Sequence, residues 1–194
     1  SSTDTGQEEN INVTCIQHAG HAGIWIGSFQ GLKYYHNEKL TDFSHLHPGL
    51  SRRITGLGLL SGKYLAVATL GDGLIIMKDS VLHTLHPENG LSATIINDMD
   101  IHRDTMWLGT NKGISKVVFV NDSFHVWHYG SGYGLPTLGI RKLAVSEHWI
   151  FFDWVSRIVA IEKSKLQNLP PSSPPQITSV LVNESDTIGR DASL

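Results

Sequence analysis

Eleven histidines in a 194-residue chain are the first chemical resource this sequence offers. Imidazole ligates zinc and acts as a base near neutral pH, so the spacing of these residues decides their use. The close pairs are His18/His21, His45/His47, His83/His86 and His125/His128. Residues two apart on a strand share a face, so His45 and His47 could converge, while those three apart generally do not. No pair has the His-Glu-x-x-His pattern of a helical zinc site. Outer-strand or surface imidazoles are therefore the expectation, with no metal and no cofactor.

Other candidate chemistry is equally thin. Glu88, Asp98 and Asp100 show no pairing that spacing establishes. Asp98 and Asp100 alternate and could face one way, with solvation or turn hydrogen bonds as the default. No Gly-x-Ser-x-Gly elbow exists for nucleophilic catalysis. Gly130-Ser131-Gly132-Tyr133-Gly134 partly evokes a phosphate loop, but Leu135-Pro136 and a strand follow where a helix is required. Cys15, the sole cysteine, rules out an internal disulfide and lies in an apolar run that predicts a buried, inert thiol.

Composition narrows the class. The formal net charge is −3, with 40% hydrophobic and 17% charged residues, as in ordinary globular chains. No Lys/Arg run is longer than a pair such as Arg52–Arg53, so an electrostatic footprint for nucleic acid is missing. No stretch approaches 18 consecutive apolar residues, and Ser1–Asn10 holds no apolar leader core.

What must position any site is a repeat. The phrases Ile24–Leu32, Leu65–Leu74 and Met106–Ile114 share one pattern, and their hydroxyl residues Ser28, Thr69 and Thr110 stand 41 and 41 residues apart. Gly49-Leu50, Gly90-Leu91 and Gly134-Leu135 recur at 41 and 44, and Val13, Ile54, Ile95 and Ile140 at 41, 41 and 45. Each of the first three units reads as four short strands, in the third about Ile95–Ile101, Thr105–Thr110, Ile114–Val120 and Ser123–Tyr129. Four strands in about 40 residues is the size of one propeller blade. The predicted fold is all-β: a partial β-propeller of four repeats of about 41 residues, the last incomplete. Trp25 and Trp107 are expected to fill the space between blades.

The predicted layout is a polar tail (1–8), then a partial propeller (9–162) with blades at about 9–50, 51–91, 92–135 and 136–162. A proline-rich linker (163–175) and the first strand of a following β-sandwich (176–194) complete it. In the last unit the third strand is placed at Arg157–Ile161, with no fourth strand after Glu162.

The phrases "IWIGSFQGL" and "MWLGTNKGI", each followed by a Gly-Leu landmark, resemble the two-component regulator propeller repeat. "PPSSPPQITSVLVNES" resembles the start of the immunoglobulin-like sandwich that follows the last blade in such proteins. Ala66 and Ala68, where the pattern has Trp and Gly, and the fourth unit depart from it. The resemblance implies the periplasmic sensor region of a membrane-anchored hybrid histidine kinase, commonly dimeric, with carbohydrate fragments among the family's ligands. It also implies partners in the remaining blades and the sandwich of the parent chain. Kinase motifs are absent here, so this stretch is expected to be non-catalytic. A glycan-processing propeller enzyme and an interaction scaffold are the competing classes.

In a propeller the connections between blades and the second-to-third strand turns share one face. That places Arg52, Arg53, Glu88, Asn89 and Tyr133 as candidate contacts for a small-molecule or oligosaccharide ligand. Four blades do not close a typical ring, so the exposed edges predict self-association, including two copies closing an eight-blade ring.

Overall fold

The computed structural model describes residues 10–19, 23–79, 81–135, 139–167, 180–182 and 186–188. They form four antiparallel sheets in chain order, each a meander of consecutive strands. The first holds β1 (Val13–His18), β2 (Gly23–Ser28), β3 (Gly31–His36) and β4 (Lys39–Asp42). The second holds β5 (Ile54–Leu60), β6 (Tyr64–Thr69), β7 (Leu74–Lys78) and β8 (Val81–Leu85). The third holds β9 (Ile96–His102), β10 (Thr105–Thr110), β11 (Gly113–Val120) and β12 (Ser123–Tyr129). The fourth runs β13 (Leu143–Val145), β14 (Trp149–Trp154), β15 (Arg157–Glu162), β16 (Val180–Val182) and β17 (Asp186–Ile188). Among the described residues no helix is long and apolar enough to cross a membrane.

Local chemistry explains the meanders. Asn37-Glu38, Arg103-Asp104 and Asn121-Asp122 each place two successive residues at positive φ, the turn that matches the twist of a tight hairpin. The strands between are rich in Val, Ile and aromatic residues, and their alternation buries both faces of the middle sheets. One cluster (Leu32, Leu50, Ile54, Val67, Ile75) joins the first sheet to the second. A second (Ala66, Ile76, Met106, Leu108, Val117) joins the second to the third. A third (Trp107, Ile114, Ile150, Phe152, Val159) joins the third to the fourth. Trp107 is 4% exposed within this last cluster, and Trp25 is half-buried against Tyr34 and Phe43.

Three expectations need correction. The third unit starts at Ile96, which is fully buried, whereas Ile95 is 36% exposed and makes only an isolated bridge to Leu70. The register is set by which isoleucine packs inward, and adjacent isoleucines hide that choice in the sequence. The fourth sheet does have a fourth strand: β16 pairs along the outer edge of β15 through Ile158↔Leu181 and Val159↔Val180. An unpaired β15 edge would leave its amides and carbonyls open, and β16 satisfies part of it. Finally, the stretch read as the start of a linker opens with a helical turn, α1 (Lys163–Gln167), because Leu166 buries into the cluster between the third and fourth sheets. Residues 168–175 of that linker, residues 176–179 of the predicted sandwich strand and the predicted tail at 1–8 lie outside the described residues.

His45 and His47 are not on a strand. His45 sits in a short 3-10 turn (Ser44–Leu46), and His47 Nδ1 accepts the Gly49 amide at 3.1 Å to cap the next turn. Cys15 is half-buried against the cluster between the first two sheets, and burial pushes its thiol up.

On the outer side of the first sheet, Lys33 Nζ meets Asp42 Oδ2 at 3.0 Å. Partial burial pushes the Asp42 carboxyl up, but the Ser44 hydroxyl and amide and the Lys33 ammonium outweigh it and hold its pKa at about 2. With the folded value below the reference 3.8, this carboxylate stabilises the fold above that pH, and the contribution is lost as pH falls towards about 2. Asp42→Asn should cost about 1 kcal/mol at neutral pH. Urea unfolding of the two proteins should converge as the pH is lowered through that window; a constant gap would refute the assignment.

Candidate ligand-binding face

The repeated hydroxyl does one job three times. Ser28, Thr69 and Thr110 are fully buried. Each donates to the carbonyl of Gly31, Gly73 or Gly113, at 2.8, 2.8 and 2.9 Å. Each also accepts the amide of Gln30, Asp72 or Lys112. The second-to-third strand turns are thus held rigidly at one end of the sheets. The connections between sheets arrive at the same end. Arg52 Nε donates to Asp72 Oδ2 at 2.7 Å, the Gly71 and Gly73 amides donate to Thr94 O, and the Ile140 amide donates to Thr110 O.

A second periodic device ties the sheets together. The pairing of the first two strands slips by one residue in each of the first three sheets, at Thr14, Thr55 and Asn97. Each bulged residue sends its side chain to the next sheet. Thr14 Oγ1 donates to Ile54 O at 2.6 Å, Thr55 Oγ1 to Ile96 O at 2.8 Å, and Asn97 Nδ2 to Ile140 O at 2.9 Å. Bulges re-aim side chains in this way and are frequent at functional rims.

The fourth sheet breaks both patterns. Arg141 takes the place of Thr14, Thr55 and Asn97, one residue after the buried Ile140, but turns back on its own sheet. Its Nε donates to Asp153 Oδ2 at 2.8 Å, and the Arg141 and Lys142 amides both donate to Asp153 Oδ1 at 2.8 Å. Burial pushes the Asp153 carboxyl up, but the two amides and the guanidinium together hold it below the usual range. Asp153 occupies the position of Gly109, where a Cβ would lie 2.9 Å from Ile140 Cγ2 of the following sheet. Asp98 and Asp100, expected to be solvated or to bond within a turn, instead serve the short β13 of the next sheet. Asp98 Oδ2 accepts the Leu143 amide at 3.0 Å and Asp100 Oδ2 the Val145 amide at 2.7 Å, while Lys142 Nζ reaches Asp98 Oδ1 at 3.3 Å.

Where the four first strands begin, they enclose a concavity of about 450 Å³. Thr14, Thr55 and Asn97 line it, Phe29 and Leu70 give it apolar wall, and Arg53, Arg141 and Lys142 give it positive charge. The Arg53 guanidinium lies 4.1 Å from the centre of the Phe29 ring. A second concavity, about 510 Å³, lies between the first two sheets towards the opposite end, beside Trp25, Tyr34, Phe43, Lys63 and Met77.

Of the five sequence candidates, only Arg53 lines the first concavity. Arg52 points to Asp72 beside it. Glu88 is exposed on the 3-10 turn Pro87–Asn89. The Asn89 side chain is spent locally, accepting the His86 amide and donating to Thr84 O. Tyr133 packs edge-on against Tyr129 at 5.4 Å beside the third cluster. Sequence reasoning missed Phe29, Asn97, Arg141 and Lys142. Their signal was positional, since Asn97 and Arg141 each follow the apolar residue that opens a unit. Among the described residues no three His, Cys, Asp or Glu side chains come together in a way that could hold a metal ion.

The class of fold is thus an all-β series of antiparallel meanders packed face to face, and it is shared with part of the extracellular domains of two signalling proteins. Two solved structures from B. thetaiotaomicron carry the comparison. The extracellular domain of BT4673, described as a one-component and also as a hybrid two-component system, matches with TM-score 0.64 at 19% identity, over 81% of this chain and 21% of that one. The extracellular domain of BT3049, described as a hybrid two-component system, matches with TM-score 0.63 at 22% identity, over 81% and 22%. The chain therefore spans about a fifth of the length of these domains. The computationally designed Ika4 protein is also similar, with TM-score 0.58 at 11% identity over 80% of this chain and 94% of that one. No protein-family model and no curated protein matches the sequence. The structural likeness agrees with the resemblance read from the repeats.

Proposed function

We propose that this chain is part of a non-catalytic, periplasmic sensor region of a membrane-anchored two-component protein. In this reading its four sheets are blades of a partial β-propeller, and ligand binding at their common mouth is relayed to a downstream histidine kinase. The observation that carries it is the shared fold with extracellular domains of such proteins, joined to a mouth whose turns and first strands are fixed by periodic hydrogen bonds. Preorganised polar groups around a concavity suit a small polar ligand such as an oligosaccharide. Arg52, Arg53 and Glu88 supply contacts, while Asn89 and Tyr133 shape the rim.

The two end sheets support a larger assembly. Val13 and Ile16 on the first sheet are 49% and 63% exposed, and Trp149 and Ile158 on the fourth 37% and 62%. In this reading the remaining blades of the parent chain cover these faces, its sandwich is a further partner, and the sensor region is a homodimer. The isolated chain should self-associate through the same faces; light scattering that shows a monomer at high concentration would count against it.

The binding claim is tested by titrating the chain with a panel of neutral and acidic oligosaccharides while following amide shifts. Shifts should cluster at Phe29–Gln30, His47–Arg53, Leu70–Gly73 and Pro87–Thr94. Arg52→Ala with Tyr133→Ala should weaken the binding at least about fivefold, near 1 kcal/mol. Unchanged affinity would sink the assignment.

A further inference from the structure

The geometry points to a receptor site for a carboxylate- or sulfate-bearing ligand in the concavity where the four first strands begin, with Arg53 as its charged centre. The inference rests on the reading of this mouth as the ligand-binding face and adds the chemistry of what it takes.

Charge is the first ground. The chain carries net charge −3, yet the side chains lining this concavity include Arg53, Arg141 and Lys142 and no carboxylate. The three cations differ in how far they are already satisfied. Arg141 is bound to Asp153 at 2.8 Å, and Lys142 to Asp98 at 3.3 Å. The neighbouring Arg52 is bound to Asp72 at 2.7 Å. Arg53 has no carboxylate within ion-pair distance among the described residues. Its guanidinium rests on the Phe29 ring, a contact that orients the group without neutralising it. An oriented, unneutralised guanidinium is the group that takes carboxylate or sulfate oxygens two at a time.

Rigidity is the second ground. Arg53 immediately precedes β5, and its carbonyl accepts the Leu70 amide at 2.9 Å. Thr14, Thr55 and Asn97 lock the first strands to one another around it. Phe29 belongs to the turn that Ser28 holds, its amide donating to Asn12 O at 3.0 Å. The cation is therefore carried on backbone that is fixed on both sides, so little ordering cost falls on the binding step. Arg141 and Lys142, each already paired with a carboxylate, add only a weak attraction from the far wall, which falls as salt rises.

Amide shifts of the whole chain would be recorded with trigalacturonate, inorganic sulfate and neutral galactotriose as separate probes. Trigalacturonate or sulfate is expected to move the Phe29, Thr55 and Asn97 amides, and the two arms distinguish carboxylate from sulfate recognition. Arg53→Gln should weaken that binding at least about tenfold, or about 1.4 kcal/mol. Lys142→Gln, whose side chain is 76% exposed, should weaken it about two- to threefold with the fold undisturbed. Equal affinity in Arg53→Gln with a native spectrum, or no response to either anion, would overturn the inference. If galactotriose alone moved these amides, the anion chemistry would fall while the ligand-binding reading stood. If no probe moved them, both would fall.

Discussion

Gly113→Ala is expected to lower the unfolding free energy by about 3–5 kcal/mol, while Gly71→Ala costs about 1–2 kcal/mol. Both glycines hold φ near the same value, +120 and +127. Left-handed backbone of this kind strains any residue with a Cβ, so that part of the cost is common to both. They differ in what the new methyl would meet. At Gly71 nothing lies within 4 Å, whereas at Gly113 the Cβ would sit 2.3 Å from the Tyr129 carbonyl oxygen and 3.0 Å from Gly130 Cα. Those are backbone atoms of β12 and of the connection to the fourth sheet, and they cannot step aside as a flexible side chain could. The clash also falls on the turn that Thr110 closes, whose carbonyl partner is Gly113 itself. Urea unfolding of the two variants gives the comparison. Equal costs would mean that close approach of strand ends is not what demands glycine here.

The second large effect concerns the joint between the third and fourth sheets. Asp98→Ala combined with Asp100→Ala should cost about 2–5 kcal/mol, because it strips the acceptors from the Leu143 and Val145 amides. β13 is only three residues long and has no other first-strand neighbour to lean on. Asp98 and Asp100 behave as a borrowed strand edge, presenting two carboxylates along β9 to successive outward amides of β13. Hydrogen exchange at Leu143 and Val145 should accelerate in the double variant while the Thr69 and Leu70 amides of the second sheet, which donate to Gly73 O and Arg53 O, stay protected. Uniform acceleration across all sheets would instead indicate global destabilisation and refute a local joint.

Much of the fold was legible because the strand boundaries are marked by turn residues and the units repeat at nearly constant spacing. Asn121-Asp122 and Arg103-Asp104 are turn pairs that can be read without a structure. The hydroxyl period at Ser28, Thr69 and Thr110 was equally visible, but its meaning, a buried bridge across each turn, needed coordinates. Less legible was anything that depends on a single-residue slip. Ile95 and Ile96 are chemically interchangeable, and only packing chooses between them. The bulges at Thr14, Thr55 and Asn97 follow from that choice, so the ties between sheets stayed hidden. β16 was legible as a strand but was assigned to a following sandwich, because a long proline-rich segment separates it from its partner β15 and pairing across such a gap leaves no local signal.

The site was read less well than the fold. Arg52 and Arg53 are adjacent, so they diverge, one to Asp72 and one over Phe29 into the concavity. Asn89 and Tyr133 stand in connections at the proper end but have local work, one capping a turn and the other packing on Tyr129. Arg141 and Lys142 were invisible as candidates because their position depends on Asp153 holding the start of β13.

The central claim is that this chain binds a small polar ligand at the mouth and leaves it unchanged. Native mass spectrometry with a panel of neutral and acidic oligosaccharides tests it most directly. The predicted result is a specific complex, weakened in Arg53→Gln, from which the sugar is recovered with its mass unaltered after prolonged incubation. Shortened or unsaturated products, or no complex with any member of the panel, would contradict it.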